Sequence, residues 1–248
     1  MSKRHQADSL HGLRVAITGG TSGLGLALVE TLRARGAAVA LVARNGARVA
    51  EVARANAGAH GIVGDVASKD DIHPIALQAT GALGGLDVLI NNASTLGPAP
   101  LALLADTECE DFEAALRTNV LGPFRLTKAL LGALATAARS GRPALVINII
   151  SDAAINAYAG WGAYGASKAA LNHLSRVWHE ELRPHGVRVI AVDPGDMDTP
   201  MHAAALPDAD RASLKRPSDA AREIVALIEA HGKETARAAS KHAEPASA

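Results

Sequence analysis

Apolar residues along the chain gather in short unbroken runs, and after most runs they return every three or four positions. The runs are LRVAIT from Leu13, AAVALVA ending at Ala43, HGIVG before Asp65, GLDVLI before Asn91, ALVINII before Ser151 and GVRVIAV before Asp193. A run with no polar face reads as a strand covered on both sides. The stretches between them predict helices over LALVETLRARG, about 46–57, from near Ser68, near 107–138, near 160–183, and over SDAAREIVALIEAHG. Strand and helix in alternation predict an α/β fold: a doubly wound parallel sheet with right-handed crossovers and helices on both faces, three layers deep. Residues 1–12 are polar and aperiodic and read as a disordered lead-in, 13–231 as one domain, and 232–248 as a disordered tail.

Between the first run and the first helix lies GGTSGLG, with Gly19, Gly23 and Gly25 behind Thr18. Glycines at such a turn let the backbone approach a ligand, and the helix start beyond them offers N–H groups to a pyrophosphate. At the end of the second run stand Arg44 and Asn45, where a site for the unphosphorylated dinucleotide places a carboxylate. An arginine there suits a 2′-phosphate, so NADP(H) is the expected cofactor, with NAD(H) as the other possibility. Asp65, followed by Val66, either meets the adenine ring or caps the helix expected from Ser68. GLDVLI runs into the polar turn NNAS at the same edge.

The clearest chemistry lies between Ser151 and Lys168. Tyr164 and Lys168 are four residues apart in a helical pattern, so they share a face. A phenol titrates near ~10, and a cation ~5 Å away at an effective dielectric of ~20 would lower it by roughly two units, about 3 kcal/mol. Ser151 follows a buried run, where its hydroxyl can polarise a carbonyl oxygen in a cleft. Taken singly, each of these residues also has an ordinary structural reading: core, solvated face or cap.

Composition narrows the field. The formal net charge is zero, which predicts neither a nucleic-acid nor an anionic-membrane partner. No apolar run reaches the ~18 residues of a membrane span, and the start MSKRHQADS lacks the apolar core of a secretion signal. With the single cysteine, Cys109, set among carboxylates, this predicts a cytoplasmic protein and no metal site.

In order and spacing, Thr18-Gly19-x3-Gly23-x-Gly25, Asp65, Asn91-Asn92-Ala93, Asn119, Ser151, Tyr164-x3-Lys168, Pro194-Gly195 and Thr199 resemble the short-chain dehydrogenase/reductase family over about Leu13 to Ala230. The resemblance implies a Rossmann-type fold and hydride transfer between nicotinamide and a carbonyl or alcohol. Tyr164 would be the general acid or base, and Lys168 would hold the nicotinamide ribose and lower the phenol. Ser151 would bond the substrate oxygen, and Asn119 would disturb its helix to hold a relay water. The implied cofactor set is Gly19, Thr21, Ser22, Gly23, Leu24, Arg44, Asn45, Asp65, Val66, Asn91, Ala93, Pro194 and Thr199, with Tyr164 and Lys168. Ser151, Tyr158, Trp161, Asp196, Met197 and His202 are the substrate-pocket candidates.

Three departures from the family pattern stand out. NNAS replaces the usual NNAG, the segment from His202 to Pro217 is a short lid, and no β-rich run follows Ala230. Absence of a seventh strand favours a homodimer through the two long helices over a tetramer. Two other functions fit the fold. A silent NADP-binding regulatory protein would be expected to lose Ser151, Tyr164 or Lys168, all present here. A reductase of carrier-bound 3-ketoacyl groups would want a basic patch, of which Lys215-Arg216 is a hint.

Overall fold

All six apolar runs form strands and pair in parallel, in the order β3-β2-β1-β4-β5-β6, in a computed structural model that describes residues 9–243, with side chains to 237. The strands are β1 (Arg14–Thr18), β2 (Ala38–Ala43), β3 (Ala59–Val63), β4 (Val88–Asn91), β5 (Leu145–Ile149) and β6 (Arg188–Val192). Eight helices accompany them among the described residues: α1 (Gly23–Ala34), α2 (Gly46–Ala55), α3 (Ile72–Leu83), α4 (Cys109–Leu116), α5 (Gly122–Arg139), α6 (Gly162–Leu182), α7 (Pro200–Ala205) and α8 (Pro217–Ala243).

Period-two alternation gives the sheet two apolar faces. Leu41, Ile17, Ile90, Ile147 and Ile190 lie in register across one of them, where buried side chains of α1, α2 and α8 close over the row. Ala40, Ala16, Leu89, Val146 and Val189 form the matching row on the other face, covered by α3, α5 and α6. Each fully buried Leu or Ile contributes about 1.5–3 kcal/mol, so both covers hold the sheet by burial. At the edge away from the strand C-termini, buried Asp87 is gripped by Arg14 and Arg142, each at 2.7 Å. The last helix also meets the start of the described chain: the Ser9 hydroxyl donates to Glu229 at 2.6 Å, and Arg35 pairs with the same carboxylate at 2.5 Å.

Several boundaries differ from the sequence expectation. The long helix near 107–138 is three pieces, α4, a π turn over Arg117–Leu121 and α5. The helix expected from Ser68 begins at Ile72. The segment 232–248, expected to be disordered, is helical through Ala243, because KETARAASK is rich in strong helix formers even though it is polar. Order also begins before residue 13: Leu10 is buried in the core and its amide donates to the Arg35 carbonyl at 2.9 Å. Residues 1–8 of the expected lead-in and 244–248 of the expected tail lie outside the described residues. Among the described residues no named strand follows β6.

Candidate active site

The C-terminal ends of the strands converge on one edge, and β1 and β4, where strand order reverses, are neighbours there. A crevice at such a switch point is where doubly wound sheets bind ligands. Here it is one cleft of about 710 Å³, running from Arg44 past the glycine turn to Trp161 and Leu206.

At one end, Thr18 Oγ1 accepts the amides of Asn92 and Ala93, each at 3.0 Å, and so locks the β1 turn to the β4 turn. Gly19 has φ of 70°, and a Cβ there would meet the Ala93 Cα at 3.0 Å. A Cβ on Gly25 would overlap the Gly19 carbonyl oxygen, so only glycine lets α1 start this close to the turn. Ser22 stands at the N-cap of α1 with no side-chain cap, which leaves the helix start available to a phosphate. These features fit a dinucleotide.

Thr21, Ser22, Gly23, Leu24, Arg44, Asn45, Asp65, Val66, Ala93, Pro194 and Thr199 all line the cleft with Gly19. Asn45 is also the N-cap of α2 and accepts the Arg48 amide at 3.1 Å. Asp65 does not cap the following helix. Asp71 holds that position, and Asp65 Oδ1 accepts the Ala67 amide at 2.9 Å. Asn91 departs from the expectation: its buried amide donates to Asn148 at 2.8 Å, behind the cleft, while Asn92 lines it. A strand residue alternates faces, and Asn91 takes the inward one.

At the other end Ser151, Tyr164 and Lys168 come together at the floor, with Tyr158, Trp161, Asp196, Met197 and His202 around them. Ser151 lies two residues past β5, as the N-cap of a short 3-10 turn over Asp152–Ala154, and Tyr164 lies in the first turn of α6. The Trp161 ring meets Tyr164 edge-on at 5.7 Å. Lys168 Nζ lies 5.4 Å from the Tyr164 ring centre and donates to the Ile149 carbonyl at 2.8 Å.

The expected lowering of the phenol is absent. Burial pushes Tyr164 up to about 12, against a lowering hydrogen bond from Ser151 and with Asp193, Asp152 and Asp196 adding to the rise. Burial likewise drops Lys168 to about 7. A lysine that titrates near neutrality exerts less of the pull expected of a fixed cation.

Asn119 is brought near but does not line the cleft. It sits in the π turn, so the helix is disturbed where expected, and its side chain is fully buried. Asn119 Oδ1 accepts from the Thr95 amide at 2.9 Å and the Ser94 hydroxyl at 3.1 Å, and its amide donates to Ser167 Oγ at 2.8 Å. The serine that replaces the usual glycine thus ties the β4 turn to the broken helix.

Sequence reasoning missed four residues. Arg48, one helical turn beyond Arg44, donates to the Thr21 carbonyl at 3.4 Å. Asp193 lines the cleft and accepts the Gly195 amide at 2.9 Å, and Met201 packs beside Tyr164. Asp152, next to Ser151, accepts the serine hydroxyl at 3.0 Å and the Tyr158 hydroxyl at 2.6 Å. Adjacency to Ser151 was the available signal. Of the two residues of the hinted basic patch, Lys215 is paired with Glu223 at 2.9 Å and Arg216 is exposed.

With this geometry in view, the chain belongs to the short-chain dehydrogenase/reductase family: the short chain dehydrogenase pattern matches residues 14–210. It is 34% identical over 200 residues to the 2,5-dichloro-2,5-cyclohexadiene-1,4-diol dehydrogenase of Sphingobium indicum, covering 80% of this chain and 78% of the relative. It is 30% identical over 203 residues to the L-xylulose reductase of Bos taurus, with 82% and 79% covered. Among solved structures, a 3-ketoacyl-(acyl-carrier-protein) reductase from Brucella melitensis complexed with NADH superposes with a TM-score of 0.82 at 25% identity, covering 88% and 91%. A Shigella flexneri short chain dehydrogenase complexed with NADP gives 0.80 at 26%, covering 86% and 89%. The chain is therefore an NAD(P)-dependent oxidoreductase of this family.

Proposed function

We propose that this protein is an NADP(H)-dependent carbonyl reductase, working on a small ketone or aldehyde and, in reverse, on the alcohol. The observation that carries the reading is Tyr164 itself, a phenol buried beside Ser151 and held up to about 12. At neutral pH such a group is a proton donor rather than a base, which suits reduction. Bound NADP(H) supplies the hydride donor in reduction and the acceptor in oxidation. Ser151 Oγ holds the substrate oxygen, and Tyr164 gives its proton to that oxygen as negative charge develops there. Lys168, near 7, gains and loses a proton close to neutrality beside the ring.

Preference for NADP(H) is supported by exposed Arg44, which follows β2, lines the cleft and has no ion pair among the described residues. The relatives' names span both directions, a dehydrogenase and a reductase. We also propose a homodimer through the α4–α5 and α6 helices, supported by Phe124 and Trp178 pairing at 5.9 Å across α5 and α6, with Leu121 and Val177 exposed beside them. A cytoplasmic setting is supported by Cys109, a free exposed thiol. Among the described residues no helix is long and apolar enough to cross a membrane.

The test is a fluorescence titration with NADPH and NADH, then a panel of ketones and aldehydes followed by loss of reduced cofactor. Tighter NADPH binding with turnover is expected. Tight binding with no turnover of any carbonyl or alcohol would overturn the catalytic reading in favour of a regulatory one.

A further inference from the structure

We propose that the substrate carries a hydrogen-bond donor, a hydroxyl or an ammonium group, on the carbon next to the reacting one, and that Asp152 receives it. The inference rests on the oxidoreductase reading above and adds the substrate class.

Its starting point is a short chain of hydrogen bonds. The reacting oxygen has to lie against Ser151 Oγ and the Tyr164 hydroxyl. Asp152 Oδ1 is 3.0 Å from that same Ser151 Oγ. Two heteroatoms on adjacent carbons, held gauche, are separated by about a hydrogen-bond length. A donor on the neighbouring carbon therefore reaches the carboxylate as the Ser151 hydroxyl proton turns from Asp152 to the reacting oxygen, and it replaces the donor that the carboxylate gives up. Asp152 already takes a hydroxyl in this way: half-exposed Tyr158 donates to Oδ2 at 2.6 Å at the mouth of the cleft. A carboxylate has about four acceptor sites, so a further donor can join these two or displace Tyr158.

Charge points the same way. The Tyr158 bond, followed by that from Ser151, holds Asp152 below the usual carboxylate range despite some desolvation, so it faces the cleft as an anion. Asp193 and Asp196 also line the cleft, and none of the three has an ion pair among the described residues. The cleft's cations are elsewhere, Lys168 turned to the Ile149 carbonyl and Arg44 at the far end. His202, Tyr158 and Tyr164 are the other titratable groups at this end. A purely apolar neighbour would strip water from Asp152 and return nothing, and an anionic one would meet three like charges. Trp161 and Met201 offer apolar surface only to the part of the substrate beyond the donor.

The experiment compares kcat/KM for 1-hydroxybutan-2-one, 1-aminobutan-2-one and pentan-2-one, matched in size, using the full chain with NADPH. At least about a tenfold preference for one or both donor-bearing ketones is expected, since a polar site left unpaired discriminates against the analogue that lacks the donor. Asp152→Ala is expected to bring the ratio within about threefold of unity, and the ratio cancels any general loss of rate. Asp152→Asn separates the sources: it keeps an acceptor for a hydroxyl and loses the charge that favours ammonium. Equal efficiency for all three ketones overturns the inference alone, as does a preference that survives in Asp152→Ala. NADPH binding without turnover of any of the three, or of butane-1,2-diol with NADP⁺, overturns it together with the oxidoreductase reading.

Discussion

Lys168 sets its Nζ 5.4 Å from the centre of the Tyr164 ring, and both side chains are buried. Burial acts on them in opposite directions, raising the phenol to about 12 and lowering the amine to about 7. Around physiological pH the phenol is thus neutral while the amine is part-way through its titration, a pairing suited to passing a proton and poorly suited to holding a fixed charge.

Removing the proton donor should therefore stop the chemistry and spare the nucleotide site. Tyr164→Phe is expected to lower kcat for carbonyl reduction by about 10²–10⁴-fold. The NADPH dissociation constant, measured by fluorescence, should stay within about twofold of the parent's, because Tyr164 is not among the groups that meet the pyrophosphate end. Undiminished kcat would remove Tyr164 from the role of acid.

Burying Lys168 costs stability, and the sign follows from its titration. The folded value of about 7 lies below the ordinary 10.5. Between those limits the unfolded chain binds more protons than the folded one, so this group's contribution to stability rises with pH across that window. Lys168→Met is expected to abolish turnover yet raise stability at pH 7 by about 0.5–2 kcal/mol. The advantage should shrink towards pH 10.5, read as the difference in urea midpoints between the two proteins.

Cofactor choice should follow charge at the end of β2. Arg44→Asp is expected to shift the NADPH-to-NADH ratio of kcat/KM towards NADH by about 10- to 100-fold, the worth of a charge-assisted hydrogen bond. An unchanged ratio, with Arg48 intact, would move the phosphate contact to Arg48. The double variant, scored the same way, would then carry the shift.

Far from the cleft, Asp87 holds the base of the sheet. Burial pushes its carboxyl up, but hydrogen bonds from Arg142 and Arg14 outweigh burial and leave it below the ordinary range. A depressed carboxyl contributes stability above its unfolded value near ~3.9 and loses it as pH falls through the folded value. Asp87→Ala should cost about 3 kcal/mol at pH 7, at the low end for a broken buried pair because both arginines stay partly in water. Thermal denaturation should show a drop of about 6–12 °C.

The alternation of strands and helices was legible because each strand is an unbroken apolar run, such as LVINI in β5, buried at every position. The cleft residues were legible because Gly19, Gly23, Ser151, Tyr164 and Lys168 keep their spacing along single turns or one helix face. What stayed hidden depends on contacts distant in sequence. Asn119 reads as a mediocre helix residue, and only the fold brings Ser94, Thr95 and Ser167 to it. Lys168 reads as a solvated cation, and its burial, which inverts the pKa argument, comes from β5 and the loops above it. The helix past residue 231 is masked by its polarity, although its alanine, lysine and arginine content favours helix.

The place of α8 also bears on how the chain is made. One apolar face of the sheet, with Ile17, Ile90 and Ile147, is covered in part by Ala221, Ile224, Val225 and Ile228, which leave the ribosome after all six strands. Until they emerge, that face is open to water and to other chains, so synthesis rather than equilibrium sets the period of greatest aggregation risk. A ribosome-bound chain arrested before Pro217 should bind a hydrophobic dye and be cut readily by protease, and release of the full chain should end both.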